Sequence, residues 1–509
     1  MKERKLQLIS WLFVIISSLS LYFIATRYAI FPSRYKFPLL LVVILILCIS
    51  GILSIVSKGK ISRVISLLVN IFFIFLMVFG LIFLPNIENR IRNIFKDIKV
   101  DEAIVNVYVT NSKYNSDLKS FANSKFIIQS SLDQENQNYA IDQLKETLGS
   151  ASLRTVNCED VVSAVEALYN NEGDLLILNE AFVDSIVEIE KFINFASDTK
   201  VLCSFKKDII IEKEEEPPVK PAEITERAFS IYVAGEDTRS GRLSTYGRTD
   251  VDIVVTVNPI TKQILIVGFP RDTYIPNPAL GNGYDKLTHL GNDGIENTIK
   301  GVNNYYHLDI DNYIVVNFIT FRNIINALDG IDVENPYYFT TYGGNGSETG
   351  EVFEYPVGTL HLYGESALAY CRERWNLPNG DYGRSEHQTI VLRAIIQKLL
   401  SPAIITNYSD VLDSLQQQVL TNIAVDDIYK LIAMQLDDNA KWDIISYRMG
   451  GEGDMQGTAS MGWNQLLYVV HPFDSQAKFI KGEIEKMMNN ENITQQVLPQ
   501  EEDTTYIPN

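Results

Sequence analysis

CRERWNLPNGDYGRSEHQ, residues 371–388, runs without a break into TIVLRAIIQKLL, residues 389–400, and the rest of the chain is read outward from this stretch. From Gln388 to Leu400 the apolar residues recur at helical spacing. Arg372 and Arg374 are two apart, so on an extended backbone both side chains leave on one face. A turn-rich connector, Asn376–Gly383, follows them. Ser385 reads as a helix N-cap, with Gln388 three positions later completing a capping box. Arg384 is therefore expected at a helix N-terminus, where free N–H groups and the macrodipole favour an anion. Three arginines converging on such a point suit a multiply charged phosphate, because guanidinium forks donate to phosphate oxygens in pairs. A surface loop whose arginines pair with Glu373, Asp381 and Glu386 is the competing reading, and this stretch alone does not choose between them.

The chain has 509 residues, too many for one compact core, so two or more domains are expected. Its net charge of −19 argues against a nucleic-acid partner held by a general basic field. An arginine cluster in so acidic a protein needs a local reason. The four cysteines, Cys48, Cys158, Cys203 and Cys371, form no CxxC and no zinc pattern. A Cys158–Cys203 bridge competes with two buried free thiols, and the thiols are the expectation.

Three uncharged apolar runs open the sequence, Leu6–Ile24, Phe37–Ser57 and Val64–Pro85, each long enough to span a bilayer. Lys2, Arg4 and Lys5 ahead of the first run resemble the start of a signal peptide. No small-residue cleavage site follows, so residues 1–98 are read as a three-span anchor. Basic flanks leave the orientation open. Lys2, Arg4, Lys5, Lys58, Lys60 and Arg63 lie on one side; Arg27, Arg34, Lys36, Arg90, Arg92, Lys96 and Lys99 lie on the other.

Residues 99–211 alternate strand and helix patterns, which predicts a small α/β domain with a mostly parallel sheet. Its expected strands are Ala103–Thr110, Lys125–Gln129, Leu153–Cys158, Asp174–Asn179 and Thr199–Phe205. Helices are expected at Asp133–Leu148, Glu159–Asn170 and Phe182–Ala196. No phosphate loop or acid pair marks a site there, and the domain is expected to be dispensable for chemistry. Residues 212–228, charged and proline-bearing, read as a stiff linker. Residues 229–480 form a second, larger α/β domain, with further helices expected at Ile295–Tyr306, Ile319–Leu328, Ser409–Gln417 and Val425–Leu436. Residues 481–509 read as a polar, disordered tail.

In the larger domain the charged signals gather at strand ends: Gly235-Glu-Asp237, Arg248-Thr-Asp250, Pro270-Arg-Asp-Thr273 and Asp285-Lys286. Loops at strand ends are where α/β sheets bind ligands. Asp237 and Asp250 are hard oxygen ligands able to hold one Mg²⁺, with Arg248 and Arg271 as cationic donors beside it. Turn capping and pairing with Arg239, Arg242 or Arg248 is the plainer role for each Asp. GxxxxGK[ST], GxSxG and HExxH are absent. Cys371 is read as a small buried residue at a strand end, and His387 as solvated or adjacent to a cap.

In this order and spacing, Phe229 to about Ser401 resembles the catalytic domain of LytR-CpsA-Psr proteins, and the likeness continues to about Tyr447. The residues that carry it are Gly235…Asp237, Arg248-Thr-Asp250, Pro270-Arg-Asp-Thr-Tyr274, Asp285-Lys286 and Leu328-Asp-Gly330. Leu368-Ala-Tyr370 leading into Arg372-Glu-Arg374, then Asp381, Arg384 and Gln388, complete the set. The three-span anchor with an extra α/β domain is similar to the streptococcal capsule branch of that family.

The resemblance implies an α/β/α sandwich and a membrane-anchored phosphotransferase acting outside the cell, with the N-terminus cytoplasmic. Such enzymes move a glycopolymer, here capsular polysaccharide, from a polyprenyl-pyrophosphate carrier to peptidoglycan. Position by position it implies Asp237 and Asp250 as ligands of Mg²⁺ (Mn²⁺ as the alternative) and Arg271, Arg372 and Arg374 as the pyrophosphate clamp. Arg248, Asp381, Arg384 and Gln388 complete the head-group site, and Lys286 matches a further basic position. Other capsule-assembly membrane proteins are implied partners, and nucleic acid is not. His387 stands where many members have arginine, and Leu328-Asp-Gly330 replaces a more usual LGG. Apolar helices such as Ile319–Leu328 and Thr389–Leu400 are expected to line a cavity for the isoprenoid tail, or simply to pack on the sheet. Two other classes compete with the enzyme. A membrane sensor or transcriptional regulator would have only residues 1–5 and Lys58–Arg63 inside the cell, too little to bind DNA. A lipid-pyrophosphate binding module without turnover would not need two metal carboxylates.

Overall fold

The computed structural model describes residues 2–27, 33–94, 100–130, 132–150, 152–210, 224–236, 243–341, 350–401 and 419–500. Most of the expected linker, the Ser409–Gln417 helix, Asp237 and the last nine residues lie outside the described residues.

Helices α1 (Lys2–Ala25), α2 (Ser33–Val56) and α3 (Lys60–Ile94) carry the three apolar runs, and all three are long and apolar enough to cross a membrane. Leu12, Phe13, Ile52, Phe72 and Phe75 point outward, while the contact faces hold small and polar residues. Asn70 sits at their centre. It accepts from Ser50 Oγ at 2.6 Å and donates to Ser10 at 3.0 Å and Ser54 at 3.1 Å. Lipid offers helices no hydrophobic reason to associate, so close packing and buried hydrogen bonds supply it.

The smaller domain contains β1 (Val100–Thr110), β2 (Lys125–Gln129), α4 (Gln134–Leu148), β3 (Arg154–Cys158), α5 (Val161–Tyr169), β4 (Leu175–Asn179) and β5 (Thr199–Ile210). The strand order is β3-β2-β4-β1-β5. β2 runs parallel to β3 and β4, but β1 is antiparallel to both β4 and β5, so the sheet is mixed rather than mostly parallel. β4 and β5 flank β1 and, both being antiparallel to it, run in the same direction, so the chain between them must cross over. That crossover is not the single helix expected over 182–196 but a series of short turns: Glu180–Phe182, Val183–Ile186, Glu190–Phe192 and Phe195–Asp198. Buried Phe182, Ile186, Ile189, Phe192 and Phe195 recur at three or four residues, a spacing that successive tight turns satisfy as well as one α-helix. Both sheet faces are closed. Val105, Val107, Phe126 and Ile177 pack under α4; Tyr108, Ile127, Leu176 and Leu178 pack under α5 and the turns.

The larger domain is built on a six-stranded sheet. Its centre is a meander of β6 (Phe229–Glu236), β7 (Thr249–Asn258) and β8 (Gln263–Phe269), and Asn312–Asn317 and Asp443–Arg448 add in parallel at its two sides. On one face Tyr232, Ala234, Val254, Leu265, Val267 and Phe269 pack against the helices Ile295–Tyr306 and Asp474–Met488. The other face, with Ile231, Val233, Ile253, Val255 and Ile264, looks toward the helices Phe318–Ala327, Asp381–Leu400 and Val425–Asp438 across an open cavity. The domain is thus a helix–sheet–helix sandwich with one filled layer and one hollow one.

The C-terminal stretch departs from expectation. Asp474–Met488 is one helix across the expected domain edge, and residues 489–500 lie against the domain. Gln263 exchanges two hydrogen bonds with Ile493, donating to its carbonyl at 2.8 Å and accepting from its N–H at 2.9 Å. Ile493 is buried, and Gln476 donates to the Pro499 carbonyl at 3.1 Å. A polar composition marks a segment that cannot form its own core, and this one borrows the core beside it.

Candidate functional site

The open cavity holds about 650 Å³ and has two characters. Valines, isoleucines and leucines from the sheet and the three helices line its length. Its other end is polar, with Arg248, Asp250, Arg271, Arg372, Arg374, Arg384 and Gln388. All seven are expected site residues, drawn from sequence positions up to 140 apart. Lys286 and Asp381 sit just behind them, ion-paired to Asp272 at 2.9 Å and to Arg384 at 2.7 Å.

Local structure explains how each arrives. Asp381–Leu400 is one helix that begins four residues before the expected cap, because Gly380 at φ 53°, ψ −123° turns the chain in a conformation open to glycine. Ser385 and Gln388 are therefore internal, and Arg384 leaves the first turn. Gln388 donates to the Asp250 carbonyl at 3.3 Å, tying this helix to β7. Arg372 is the last residue of the helix Gly364–Arg372, not part of a strand. Ala367, Leu368, Tyr370 and Cys371 are buried at helical spacing, and that packing selects the helix. Glu373 then turns extended, and its buried carboxylate accepts from the N–H groups of Arg374, Trp375 and Asn376 at 2.9, 2.7 and 3.0 Å. That capped turn presents Arg374 to the cavity.

Asp250 is aimed by a β-bulge. The β6–β7 register steps from Gly235↔Val251 to Glu236↔Thr249, which leaves Asp250 as the extra residue. It joins Val251 and Ile253 in the cavity wall, while Asp252, two residues on, faces the opposite layer. Asp252 accepts from Tyr232 at 2.7 Å and Thr249 at 2.6 Å. Gly235 makes the bulge possible, since a Cβ there would lie 2.7 Å from the Val251 side chain.

The two aspartates then diverge electrostatically. Burial pushes both upward, and for Asp252 it wins, raising the carboxyl to about 7. For Asp250, Arg271 at 2.8 Å, Arg248 at 3.7 Å and the nearby Arg384 outweigh burial and hold it well below the usual carboxylate range. Arg374 is pushed downward by burial and then by Arg271 and Arg384, a sign of positive charge in excess at this end. Arg372 lies over the Phe318 ring at 4.4 Å and Arg374 over Trp375 at 4.7 Å, so an aromatic face supports each guanidinium plane.

Among the described residues no group of three His, Cys, Asp or Glu side chains is placed to hold a metal ion. Asp250, buried and held anionic, fits one hard oxygen ligand of a divalent cation; Asp237 lies outside the described residues.

Two readings change. His387 is fully buried, not solvated: it stacks on Tyr370 at 4.0 Å, donates from Nδ1 to the Tyr370 carbonyl at 3.0 Å, and burial lowers it to about 4. Since a carbonyl only accepts, Nδ1 carries the proton. Cys371 is buried at a helix end rather than a strand end, and burial pushes its thiol up. All four cysteines are free, with Cys158 and Cys203 partly buried. One serine–histidine–aspartate group does occur. Ser460 and Asp285, however, both meet Nδ1 of His289, at 3.2 and 2.8 Å, so the ring cannot relay a proton between them.

The residue missed entirely is Glu188. It lies in the smaller domain, in the link after Val183–Ile186, and enters the polar end of the cavity together with Asp184 and Val187. Arg248 donates to its carboxylate at 2.6 Å and to the Asp184 carbonyl at 2.7 Å. Arg271 and Lys286 approach it at 3.4 and 3.9 Å. Burial raises the Glu188 carboxyl, but Arg248, Arg271 and Lys286 prevail and bring it down to about 2. A single glutamate between Val187 and Ile189 is the only trace of this in the sequence.

Comparison with known proteins adds the following. Residues 196–469 match the LytR_cpsA_psr family. A protein of Enterococcus faecalis named "Polyisoprenyl-teichoic acid--peptidoglycan teichoic acid transferase TagU" is 36% identical over 204 residues, 40% of this chain and 64% of its own length. The protein of the same name from Bacillus licheniformis is 33% identical over 227 residues, 44% of this chain and 69% of its own. The chain thus spans just under two thirds of the first relative and just over two thirds of the second. Among solved structures, that of B. subtilis TagV is 27% identical and covers 52% of this chain and 98% of its own, with a TM-score of 0.42.

Proposed function

The chain belongs to the LytR_cpsA_psr family, and from that premise we propose that its larger domain transfers a glycopolymer from a polyprenyl-pyrophosphate carrier to peptidoglycan. The observation that carries this is the two-part cavity, an apolar channel of about 650 Å³ ending at Arg271, Arg372, Arg374 and Arg384. An isoprenoid chain is excluded from water by the channel, and its diphosphate meets the guanidinium groups.

Transfer forms a bond between an acceptor hydroxyl oxygen and the phosphorus that carries the polymer. It breaks the bond from that phosphorus to the bridging oxygen and releases polyprenyl phosphate, while the hydroxyl proton leaves. Negative charge grows on the bridging and equatorial oxygens. Arg271, Arg372 and Arg374 are held ready to meet it, so no reorganisation is needed at the moment of reaction. Mg²⁺, or Mn²⁺ in its place, would be held by Asp250 together with Asp237 and would neutralise part of that charge. Asp381 fixes Arg384, and Gln388 fixes the helix that carries it.

The polymer we assign is capsular polysaccharide, on the strength of the extra α/β domain; the named relatives are teichoic acid transferases. The protein is placed in the cell membrane with its N-terminus cytoplasmic and both α/β domains outside. Peptidoglycan and other capsule-assembly membrane proteins are its partners there.

Polymer transfer from a lipid-linked donor, measured with and without Mg²⁺, tests this. Arg374→Ala should lose about 2–4 kcal/mol of transition-state stabilisation, comparable to deleting one preorganised donor. Arg374→Lys should stay impaired, because it restores charge without the two-pronged geometry. Asp250→Ala should lower turnover more than lipid binding. Near wild-type transfer by both Asp250→Ala and Arg374→Ala sinks the enzyme reading.

A further inference from the structure

Arg248, Arg271 and Lys286 converge on one carboxylate, and it comes from the other domain. Two of these cations already have carboxylates of their own. Arg271 holds Asp250 at 2.8 Å, and Lys286 holds Asp272 at 2.9 Å. Glu188 is therefore not required to neutralise them, yet it sits where a phosphoryl oxygen would be gripped by all three. We propose that Glu188 is an internal phosphate mimic: the smaller domain shuts the head-group site by filling an anion position with this carboxylate, and the lipid diphosphate must displace it to bind. This rests on the reading that the site takes a polyprenyl diphosphate, and it adds a regulatory role for a domain that the sequence left without one.

Three features support displacement over permanent occupancy. The seam is imperfectly satisfied. Nε of Arg248, Nε of Arg271, Nε2 of His289 and Oδ1 of Asn292 are buried without a partner among the described residues, and Asn292 reaches Ser185 of the smaller domain only at 3.4 Å. Unpaired buried groups penalise the closed arrangement, so opening to solvent or ligand recovers part of that penalty. Next, Glu188 lies between the short turns Val183–Ile186 and Glu190–Phe192, outside the sheet, so its side chain can withdraw from the cations while Ile186 and Ile189 on either side stay anchored in the smaller domain's core. The domains are also fastened elsewhere. Met461 and Leu467, from the hairpin of Gly451–Thr458 and Gly462–Pro472, insert into the smaller domain's core beside Val161 and Leu168. Withdrawal of Glu188 can thus occur with the two domains still joined.

The ligand has the electrostatic advantage. A diphosphate brings more negative charge and more acceptor oxygens to the same three cations than one carboxylate does. Glu188 is also unsuited to act as the base that takes the acceptor proton, since the surrounding cations keep it ionised far below the working pH.

The test uses the full chain in detergent micelles and geranylgeranyl diphosphate as probe. Glu188→Gln keeps the shape and removes the charge, and it should tighten the calorimetric Kd at least tenfold; Glu188→Ala should move it the same way. In the wild type, amide exchange over residues 183–192 should speed up when the probe is added. Weaker or unchanged binding by Glu188→Gln, or slower exchange over 183–192, overturns the proposal, because Glu188 would then complete the site. If Glu188→Gln unfolds, the exchange measurement on the wild type still decides. Arg374→Ala separates the two levels of argument. Should it abolish binding while Glu188→Gln binds as the wild type does, only the displacement idea fails. If neither the wild type nor Glu188→Gln binds the probe, the lipid-diphosphate reading falls and this inference with it.

Discussion

Val105 and Val107 in the smaller domain, and Val233 and Val255 in the larger one, are the same residue type on central strands of α/β sheets. The first pair touches α4 across a closed layer, and the second pair faces an open cavity. In strand composition the two are hard to tell apart. What differs is how the covering helices approach. In the smaller domain they settle onto both faces of the sheet. In the larger one, Leu392, Ile396 and Leu400 pack along one side of a sheet face and Ile428 and Leu431 along the other, and the space left open between them ends at the arginines. The lesson is that a hydrophobic strand face signals burial, whereas the partner that buries it, a helix or a ligand, is set by the surrounding elements.

That contrast can be broken most sharply by adding bulk to each sheet. Val233→Phe should fill part of the cavity, cutting polyprenyl-diphosphate binding at least 100-fold, about 3 kcal/mol, while the unfolding midpoint stays near wild type. Val107→Phe, on a fully buried position, should instead destabilise the fold by about 1–3 kcal/mol through overpacking. Calorimetric binding and thermal unfolding on both variants decide the matter. Equal loss of stability in the two would show that the larger sheet is not hollow.

A smaller effect concerns pH. Asp252 is raised to about 7 in the folded protein, so between about pH 4 and 7 the folded state holds a proton that the unfolded chain has lost. Stability from this group must therefore fall as pH rises through that window and level off above it. Glu188, held near 2, has the opposite sign: its contribution is present above the ordinary carboxylate pKa and is lost as pH falls toward 2. Asp252→Asn should remove the first dependence, gaining on the wild type by roughly 1–2 kcal/mol between pH 5 and 7 in denaturant titrations. A flat difference between the two proteins across that range would refute the assignment.

The smallest change sharpens the comparison from the other side. Asp160 caps α5 by accepting from Ser163 N–H at 2.7 Å and lines none of the cavity. Asp160→Ala should cost about 1 kcal/mol of stability in chemical unfolding, with lipid binding unaltered. A large loss of binding would mean that the smaller domain's internal stability, and not Glu188 alone, reports to the site.

Much of this was legible in the chain itself. The three apolar runs and most strands and helices could be named from pattern and spacing, and the set Arg248, Asp250, Arg271, Arg372, Arg374, Arg384 and Gln388 from that spacing together with the family resemblance, because hydrophobic periodicity and motif order are local or ordered along the chain. The misreadings share one cause. Arg372 looked extended, His387 looked solvated, residues 182–196 looked like one helix, and residues 489–500 looked loose; each was decided by what packs against it. Two aspartates two residues apart should share a strand face, yet a bulge at Gly235 and Val251 sends Asp250 to the arginines and leaves Asp252 with Tyr232. No local signal encodes that divergence.

The sequence alone determined that this chain has three segments long and apolar enough to cross a membrane, two α/β domains and a phosphate-suited arginine set, since those properties follow from composition, period and residue order. Only the tertiary structure decided that one sheet face stays open and that Asp250 points into the cavity while Asp252 points away. It alone placed a glutamate from the other domain among the site's cations. The reason is physical: burial, void and charge pairing are set by groups distant in sequence, and Glu188 meets Arg248 only because the two domains fold against each other.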